Sequence, residues 1–213
     1  DGTFGTGGYT LVDPNPNHVL PVDSSGPALS IVVNPDDTFV TGGAAAVNHA
    51  MSSMYWSDWA MVKFTRNGLP DATWGVNGAH IEEFGWSAFI HSMVRLDDGR
   101  LVVAGESAHH GSGSDMTIAR YHADGTLDPA FGTKGITIIN LGGESDVVYS
   151  LAVQKDGKYL LGGTTSSDPD GKITSMAVAR VDDKGVLDPS FGTSAGTTVT
   201  QFPGGTSAAR GLV

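Results

Sequence analysis

The chain has 213 residues, including 30 glycines, 10 prolines and no cysteine, and its formal net charge is −11. Its length suits one domain, or two small ones, with a sizeable core. The absence of cysteine excludes disulfides, thiolate zinc sites and cysteine nucleophiles. No apolar run approaches the roughly 20 residues of a membrane-spanning helix. The acidic surplus and the scattered basic residues argue against a nucleic-acid partner.

The acidic residues are unevenly divided, with 19 aspartates and 4 glutamates. Aspartate favours turns because its short carboxylate bonds nearby backbone N–H groups, whereas glutamate favours helices. Together with the many glycines, this composition predicts an all-β chain with tight turns.

An eight-residue motif recurs along the chain. It reads Gly68-Leu-Pro-Asp-Ala-Thr-Trp-Gly75, Gly125-Thr-Leu-Asp-Pro-Ala-Phe-Gly132 and Gly185-Val-Leu-Asp-Pro-Ser-Phe-Gly192, and its last part opens the chain as Asp1-Gly-Thr-Phe-Gly5. A second motif recurs between these copies, at residues 30–37, 92–99 and 150–157. We infer a unit of about 60 residues, present at 5–74, 75–131 and 132–191 with a partial copy at 192–213, within a single repeat domain.

The third unit predicts four strands, near 136–141, 149–154, 159–164 and 175–181, because apolar and polar residues alternate there. Lys155–Gly157 and Asp183–Gly185 are predicted turns between strands. Four strands in each unit are typical of a β-propeller blade. A β-solenoid would require shorter coils, so it fits less well.

The segments Arg180–Gly192 and Gln154–Lys158 resemble the bacterial delta-60 repeat. The resemblance implies a β-propeller and covers essentially the whole chain, but it carries almost no information about activity. Because such repeats occur in large bacterial surface and secreted proteins, it also implies an extracellular or cell-surface location. The first unit departs from the pattern, with Trp74 in place of Phe and Asp36-Asp37 in place of Asp-Gly.

About three and a half units are fewer than the four blades of the smallest propeller. Unpaired strand edges and apolar blade surfaces would then be exposed. Either the chain is part of a longer polypeptide, which we favour, or copies of it assemble through their open edges.

Each full unit places a basic residue eight positions before an aspartate. The pairs are Lys63 with Asp71, Arg120 with Asp128, and Arg180 with Asp188. Because catalytic sites are rarely copied from blade to blade, we predict a structural role in which the aspartate accepts turn N–H bonds and meets a basic residue of its own or the neighbouring blade. The aromatic residues Trp74, Phe131 and Phe191 are predicted to fill the core between blades.

The units diverge over 44–58, 106–115 and 164–174, which we predict to be loops on one face of the propeller. Ala44–Val47 in the first loop would allow a helical turn. The candidate ligand or partner residues on these loops are His49, Tyr55, Trp56, His109, His110 and Asp115. Tyr55 and Trp56 could stack on a sugar or anchor a protein partner, or could instead fold back and cap the blade.

The sequence predicts no cofactor and no catalytic residue. Asp168 and Asp170 are weak calcium candidates, but their segment lacks alternating oxygen donors and a closing glutamate. His109 and His110 beside Asp115 could bind a transition metal, although adjacent histidines point apart in an extended chain. Gly192-Thr-Ser-Ala-Gly196 has the spacing of a nucleophile elbow, but no helix follows it. No reaction is assigned to the group at 80–91, which includes His80, Glu82 and His91.

We therefore expect a non-enzymatic binding or structural scaffold of the bacterial exterior. Its partner would be a glycan or a protein, bound by the divergent loops, or another copy bound through open blade edges. The alternative is a propeller enzyme, resembling hydrolases, lactonases or oxidoreductases, with a site at the central channel that could depend on a metal. Such an enzyme would need inward-facing His, Asp or Glu residues from several blades, because the fold alone does not define a function.

Overall fold

A computed structural model describes residues 2–12, 27–48, 55–84, 86–108, 113–168, 173–203 and 205–212, with only the backbone described for Val47, Asn48 and Tyr55. These residues contain twelve strands and no helix, as expected for an all-β chain. Among them, no helix is long and apolar enough to cross a membrane.

The strands form three antiparallel four-stranded sheets in chain order. Sheet 1 contains β1 (Ala28–Val33), β2 (Phe39–Asn48), β3 (Tyr55–Phe64) and β4 (Ala79–Glu82). Sheet 2 contains β5 (Ala88–Arg95), β6 (Leu101–Ala108), β7 (Ser114–Tyr121) and β8 (Ile136–Ile139). Sheet 3 contains β9 (Ser145–Val153), β10 (Tyr159–Ser166), β11 (Ser175–Val181) and β12 (Thr197–Thr200). One parallel residue pair, Ser114 with Ser145, joins sheets 2 and 3.

The sheets are out of phase with the sequence units. The strand predicted at 136–141 is β8, which pairs with β7 of the preceding unit and not with the strands that follow it. Sheet 3 is instead completed by β12, which lies beyond Phe191. The reason is local, because the motif loop reverses the chain and returns the next strand antiparallel to the strand it has just left.

The first strands of the sheets, β1, β5 and β9, lie side by side, and we call this side of the molecule the inner edge. Each has a register shift of one residue, at Leu29, His91 and Tyr149 respectively, so each contains a β-bulge. Just after the bulge, Ser30 accepts the N–H of Met93 at 3.0 Å, and Ser92 accepts that of Leu151 at 3.2 Å. These bonds fix the spacing between neighbouring sheets.

The core lies between the sheets. We call the surface of a sheet that meets the next sheet its back, and the opposite surface its front. The back of sheet 1 contributes Val40, Trp59 and Met61 against Met93 and Tyr121 on the front of sheet 2. The back of sheet 2 packs in the same way on the front of sheet 3, with the residues Val102, Met116, Ile118 and Phe131 against Leu151, Tyr159, Leu161 and Val181.

The predicted loops are shorter than expected. Residues 44–48 and 55–58 extend β2 and β3, so the helical turn expected at Ala44–Val47 is wrong. Likewise 106–108 and 114–115 belong to β6 and β7, and 164–166 belongs to β10. Ala44 and Ala45 are both buried, and a strand covered on both surfaces lacks the alternation of apolar and polar residues by which strands are recognised in sequence.

Candidate functional site

The connections between strands emerge at two opposite edges of the sheets. In an antiparallel meander the first and third connections share one edge, which we call the lower edge, and the others share the upper edge. The recurring motifs form the lower edge. The strand ends that precede the divergent segments, in β2, β6 and β10, lie at the upper edge.

At the lower edge, each predicted pair forms an ion pair. Lys63 Nζ lies 2.9 Å from Asp71 Oδ2. Arg120 Nε donates to Asp128 at 2.7 Å, and Arg180 Nε donates to Asp188 at 2.9 Å.

In sheets 2 and 3, a second cation reaches the same carboxylate. It is Arg100 at 3.3 Å from Asp128 and Lys158 at 2.9 Å from Asp188. The other carboxylate oxygen accepts a turn N–H, from Thr73, Ala130 or Ser190. The Ser190 hydroxyl and then Lys158 lower the pKa of Asp188 well below its ordinary value of 3.8, so this group is an anion held in a structural turn.

The aromatic residues belong to a contact that we call the clasp, in which the motif loop of one sheet holds the turn that follows the third strand of the next sheet. Gly132 N–H donates to Lys184 O at 2.7 Å, Arg120 to Asp183 O at 2.5 Å, and Thr137 Oγ1 to Gly185 O at 2.6 Å. Phe131 is buried beside them and meets the Tyr159 ring edge-on at 5.8 Å.

The same clasp recurs twice along the chain. Trp74 Nε1 donates to Ala123 O at 3.0 Å, and Gly75 N–H donates to Asp124 O at 3.3 Å. Gly5 N–H donates to Asn67 O at 2.8 Å. The clefts beside the clasps, of about 670 Å³ between sheets 2 and 3 and about 320 Å³ between sheets 1 and 2, are also related by the repeat. A feature that recurs at every sheet junction serves the fold.

A different polar cluster lies at the inner edge and does not recur. His91 Nε2 is 3.4 Å from Glu106 Oε1, and Ser114 Oγ donates to Glu106 Oε2 at 2.9 Å. The His91 ring meets the Tyr149 ring edge-on at 5.4 Å. The exposed guanidinium of Arg210 lies over the same Tyr149 ring, 4.8 Å from its centroid.

We call His91, Glu106, Tyr149 and Arg210 the inner-edge cluster. It combines two cationic or titratable groups, a carboxylate and an aromatic ring in one partly exposed place, where His91 and Glu106 side chains are each 19% exposed. In sheet 1 the corresponding positions of His91 and Glu106 are Leu29 and Ala44. The cluster can bind an anionic group, and the His91–Glu106 pair can exchange a proton.

The upper edge carries one of the predicted ligand residues in a described position. Trp56 is partly exposed and packs on Trp86 with ring centroids 4.7 Å apart and planes at 46°. The Tyr55 side chain, His49, His109, His110 and Asp170 lie outside the described residues.

Two of the predicted acidic residues, Asp115 and Asp168, have described positions. Asp115 is in β7, not on a loop, and only 5% of its surface is exposed. Asp168 joins the start of its loop to β10, because its backbone N–H donates to Ser166 Oγ at 3.2 Å. In the described part of the chain, no three His, Asp or Glu side chains are placed to hold a metal ion.

Sequence reasoning missed the inner-edge cluster. His91 was noticed without a role, and Tyr149 and Arg210 were not singled out. A signal was available, because Leu29, His91 and Tyr149 occupy equivalent places before the recurring serine, and that place differs in character in each unit.

Two segments, residues 96–131 and 154–191, match the family described as "Domain of unknown function (DUF5122) beta-propeller". Each segment runs from the turn after the first strand of a sheet to the aromatic residue of the recurring motif, Phe131 or Phe191. No curated protein matches the chain. Among solved structures, a crystal structure of a GH43_1 enzyme from Xanthomonas citri is similar, with 7% identity, a TM-score of 0.40, and 78% of this chain and 54% of that chain covered. The chain thus spans about half the length of that enzyme. The match covers parts of sheets 2 and 3 and supports repeats of a β-propeller type there.

Proposed function

We propose that this chain is a non-enzymatic ligand-binding module of the bacterial exterior, built from propeller repeats of the delta-60 type, and that it binds a carboxylate-bearing glycan. The ligand contacts the inner-edge cluster and the Trp56–Trp86 pair. The delta-60 assignment and the extracellular or cell-surface location are supported by the motif resemblance alone.

The observation that carries the proposal is the contrast between the two polar regions. The lower edge repeats the same ion pairs and clasps along the chain, and the carboxylates of those pairs are already neutralised by their own basic partners. The inner-edge cluster has no counterpart in sheet 1, and the exposed Arg210 guanidinium makes no ion pair with a described residue. A polar group that is both unrepeated and accessible is better suited to a ligand than to the fold.

The chemistry of the cluster supports the ligand class. A guanidinium recognises a carboxylate through paired N–H donors. Partly exposed tryptophan and tyrosine rings offer apolar surfaces of the kind that stack on sugars or anchor partners. The chain as a whole carries a charge of −11, so an anionic ligand would approach against the net charge and would depend on this local cation.

Calorimetric titration with an acidic oligosaccharide, such as oligogalacturonate, and with a neutral cello-oligosaccharide would test the proposal. We expect the acidic ligand to bind and the neutral ligand to bind at least tenfold more weakly. Arg210→Ala should weaken the acidic ligand about tenfold or more and leave the melting temperature unchanged, because Arg210 is exposed. Trp56→Ala should weaken both ligands.

Arg66→Ala is the matched control, because Arg66 is an exposed arginine in a turn at the lower edge. It removes the same charge and should leave binding unchanged. If Arg66→Ala and Arg210→Ala lost equal affinity for the acidic ligand, the effect would come from the net charge of the chain and not from a contact with Arg210. Absence of binding by acidic and neutral sugars alike would refute the glycan ligand.

A propeller enzyme is the second candidate, and the His91–Glu106 contact is the observation that favours it. A histidine beside a carboxylate, opening on the inner edge, is an arrangement suited to general acid–base work. A panel of glycoside and lactone substrates, with metal analysis of the purified protein, tests this candidate. Turnover of a substrate by the wild-type chain that is lost in His91→Gln would establish an enzyme and refute the non-enzymatic binding module.

A further inference from the structure

The back of sheet 3 has the composition of a sheet junction but is not covered like one. Leu160, Met176, Val178 and Phe191 are each partly exposed. Their equivalents on the back of sheet 2, Val102, Met116, Ile118 and Phe131, are fully buried. The side chains are of the same apolar kind at both places, so the difference lies in what covers them.

The polar groups of the clasp are present on sheet 3 as well. Gly192, Thr198, Arg180 and Phe191 correspond to Gly132, Thr137, Arg120 and Phe131. On sheet 2, Gly132, Thr137 and Arg120 donate hydrogen bonds to the turn at residues 182–185 of sheet 3. Among the described residues, nothing accepts the Gly192 N–H or the Thr198 hydroxyl across such a junction, while Arg180 bonds only within its own sheet, to Asp188 and Ser190.

One strand position of a following sheet is already occupied. Leu212 N–H donates to Ser150 Oγ at 2.9 Å, as Leu151 donates to Ser92. The added Cβ of a residue at Gly162 would contact Ala209 and Leu212, at 3.2 and 3.3 Å. Residues 205–212 therefore lie against sheet 3 where β9 lies against sheet 2.

From these correspondences we infer that the back of sheet 3 is a docking surface for a β-hairpin of this same repeat, which pairs with residues 205–212 and places its turn in the clasp of Phe191 and Gly192. The three clasps within the chain define what the hairpin must contain. It needs a second and a third blade strand, and then a four-residue turn that ends in glycine and offers backbone carbonyl oxygens to Gly192, Thr198 and Arg180. Recognition would be by strand addition and clasp together.

The chain itself supplies a probe. A peptide with the sequence of residues 159–186 contains β10, β11 and the turn at residues 182–185 of sheet 3, which the clasp of sheet 2 holds. The same peptide with Gly185→Ala is the matched control, because a Cβ at Gly185 lies 2.5 Å from the clasp glycine nitrogen in the junction between sheets 2 and 3. Binding is measured by fluorescence anisotropy of the labelled peptide, and amide exchange of Gly192 is followed by NMR.

We expect the wild-type peptide to bind the full chain and to slow exchange of the Gly192 amide at least tenfold. The control peptide and the protein variant Phe191→Ala should each weaken binding at least tenfold. Because Phe191 is partly exposed, Phe191→Ala should remain folded, and its melting curve verifies this.

Three results would overturn the inference. They are no binding of the wild-type peptide to the folded chain, equal binding of the wild-type and control peptides, and an unchanged Gly192 amide in the complex. Self-association of the chain that Phe191→Ala abolishes would assign the surface to a whole second copy instead of a hairpin. Loss of peptide binding would leave glycan binding unaffected, so the two proposals fail separately.

Discussion

Replacement of Gly185 by alanine tests the clasp most sharply, because the chain contains a matched glycine outside it. Gly185 and Gly157 each end a tight turn, with N–H bonds to Asp182 O at 3.1 Å and Gln154 O at 2.9 Å. Their φ angles are 81° and 82°. A Cβ at Gly157 meets nothing within 4 Å, whereas one at Gly185 lies 2.5 Å from Gly132 N.

The two variants share the cost of placing alanine at positive φ, which is about 1 kcal/mol. Gly185→Ala must in addition push the turn away from sheet 2. This breaks the bond from Gly132 N–H to Lys184 O, worth about 1 kcal/mol, and loosens the packing of Phe131, whose complete removal would cost about 3–5 kcal/mol. We expect losses of about 1 kcal/mol for Gly157→Ala and about 3 kcal/mol for Gly185→Ala.

Urea unfolding followed by circular dichroism measures both free energies, and an unchanged slope ensures that the two variants are comparable. Equal losses in Gly157→Ala and Gly185→Ala would refute the reasoning, because the contact across the junction would then contribute nothing beyond the turn. A larger loss in Gly157→Ala would refute it as well.

Three further predictions concern single buried or hydrogen-bonded side chains. Acidification should destabilise the chain as the pH falls below about 3.8 and through the lowered pKa of Asp188, because the unfolded state binds the proton at a higher pH than the folded state does. Urea titrations at pH 5 and pH 2.5 should show a smaller loss of stability in Asp188→Asn than in the wild-type chain. Ser92→Ala should lower the free energy of unfolding by about 1–2 kcal/mol, because the Leu151 N–H loses its acceptor. An unchanged melting temperature in thermal unfolding would contradict this. Tyr121→Phe should be neutral or stabilise by about 1 kcal/mol, because the buried hydroxyl has no hydrogen-bond partner among the described residues, and a marked loss of stability would contradict this.

Features that depend on short spacing were predictable from the sequence. The recurring motifs predict an all-β chain of repeated strands. The eight-residue spacing predicts the three ion pairs of Asp71, Asp128 and Asp188, and the aromatic residue of the motif predicts that Phe131 lies in the core between sheets. The turn at Asp36-Asp37 forms although glycine is absent, because Asp37 itself adopts a φ of 64°. Aspartate tolerates this conformation better than most residues.

Features that depend on distant pairing were not predictable. The sequence does not show that the strand after Phe131 pairs with the strand before the motif, so the sequence units and the sheets are out of phase. The inner-edge cluster combines residues 91, 106, 149 and 210, which come from three strands and a terminal segment. His91 and Tyr149 also occupy β-bulges, where the period-two pattern is interrupted, so alternation does not reveal which way they face.

Amide hydrogen exchange at two equivalent glycines tests the central claim directly, namely that the recurring motif joins one sheet to the next. Gly132 N–H donates to Lys184 O across a junction, and Gly192 N–H has no such acceptor among the described residues. The account predicts that the Gly132 amide exchanges at least a hundredfold more slowly than the Gly192 amide in the native chain, which corresponds to about 2.7 kcal/mol of additional protection. Equal exchange at Gly132 and Gly192 would contradict it, because the motif would then be a turn complete within its own sheet.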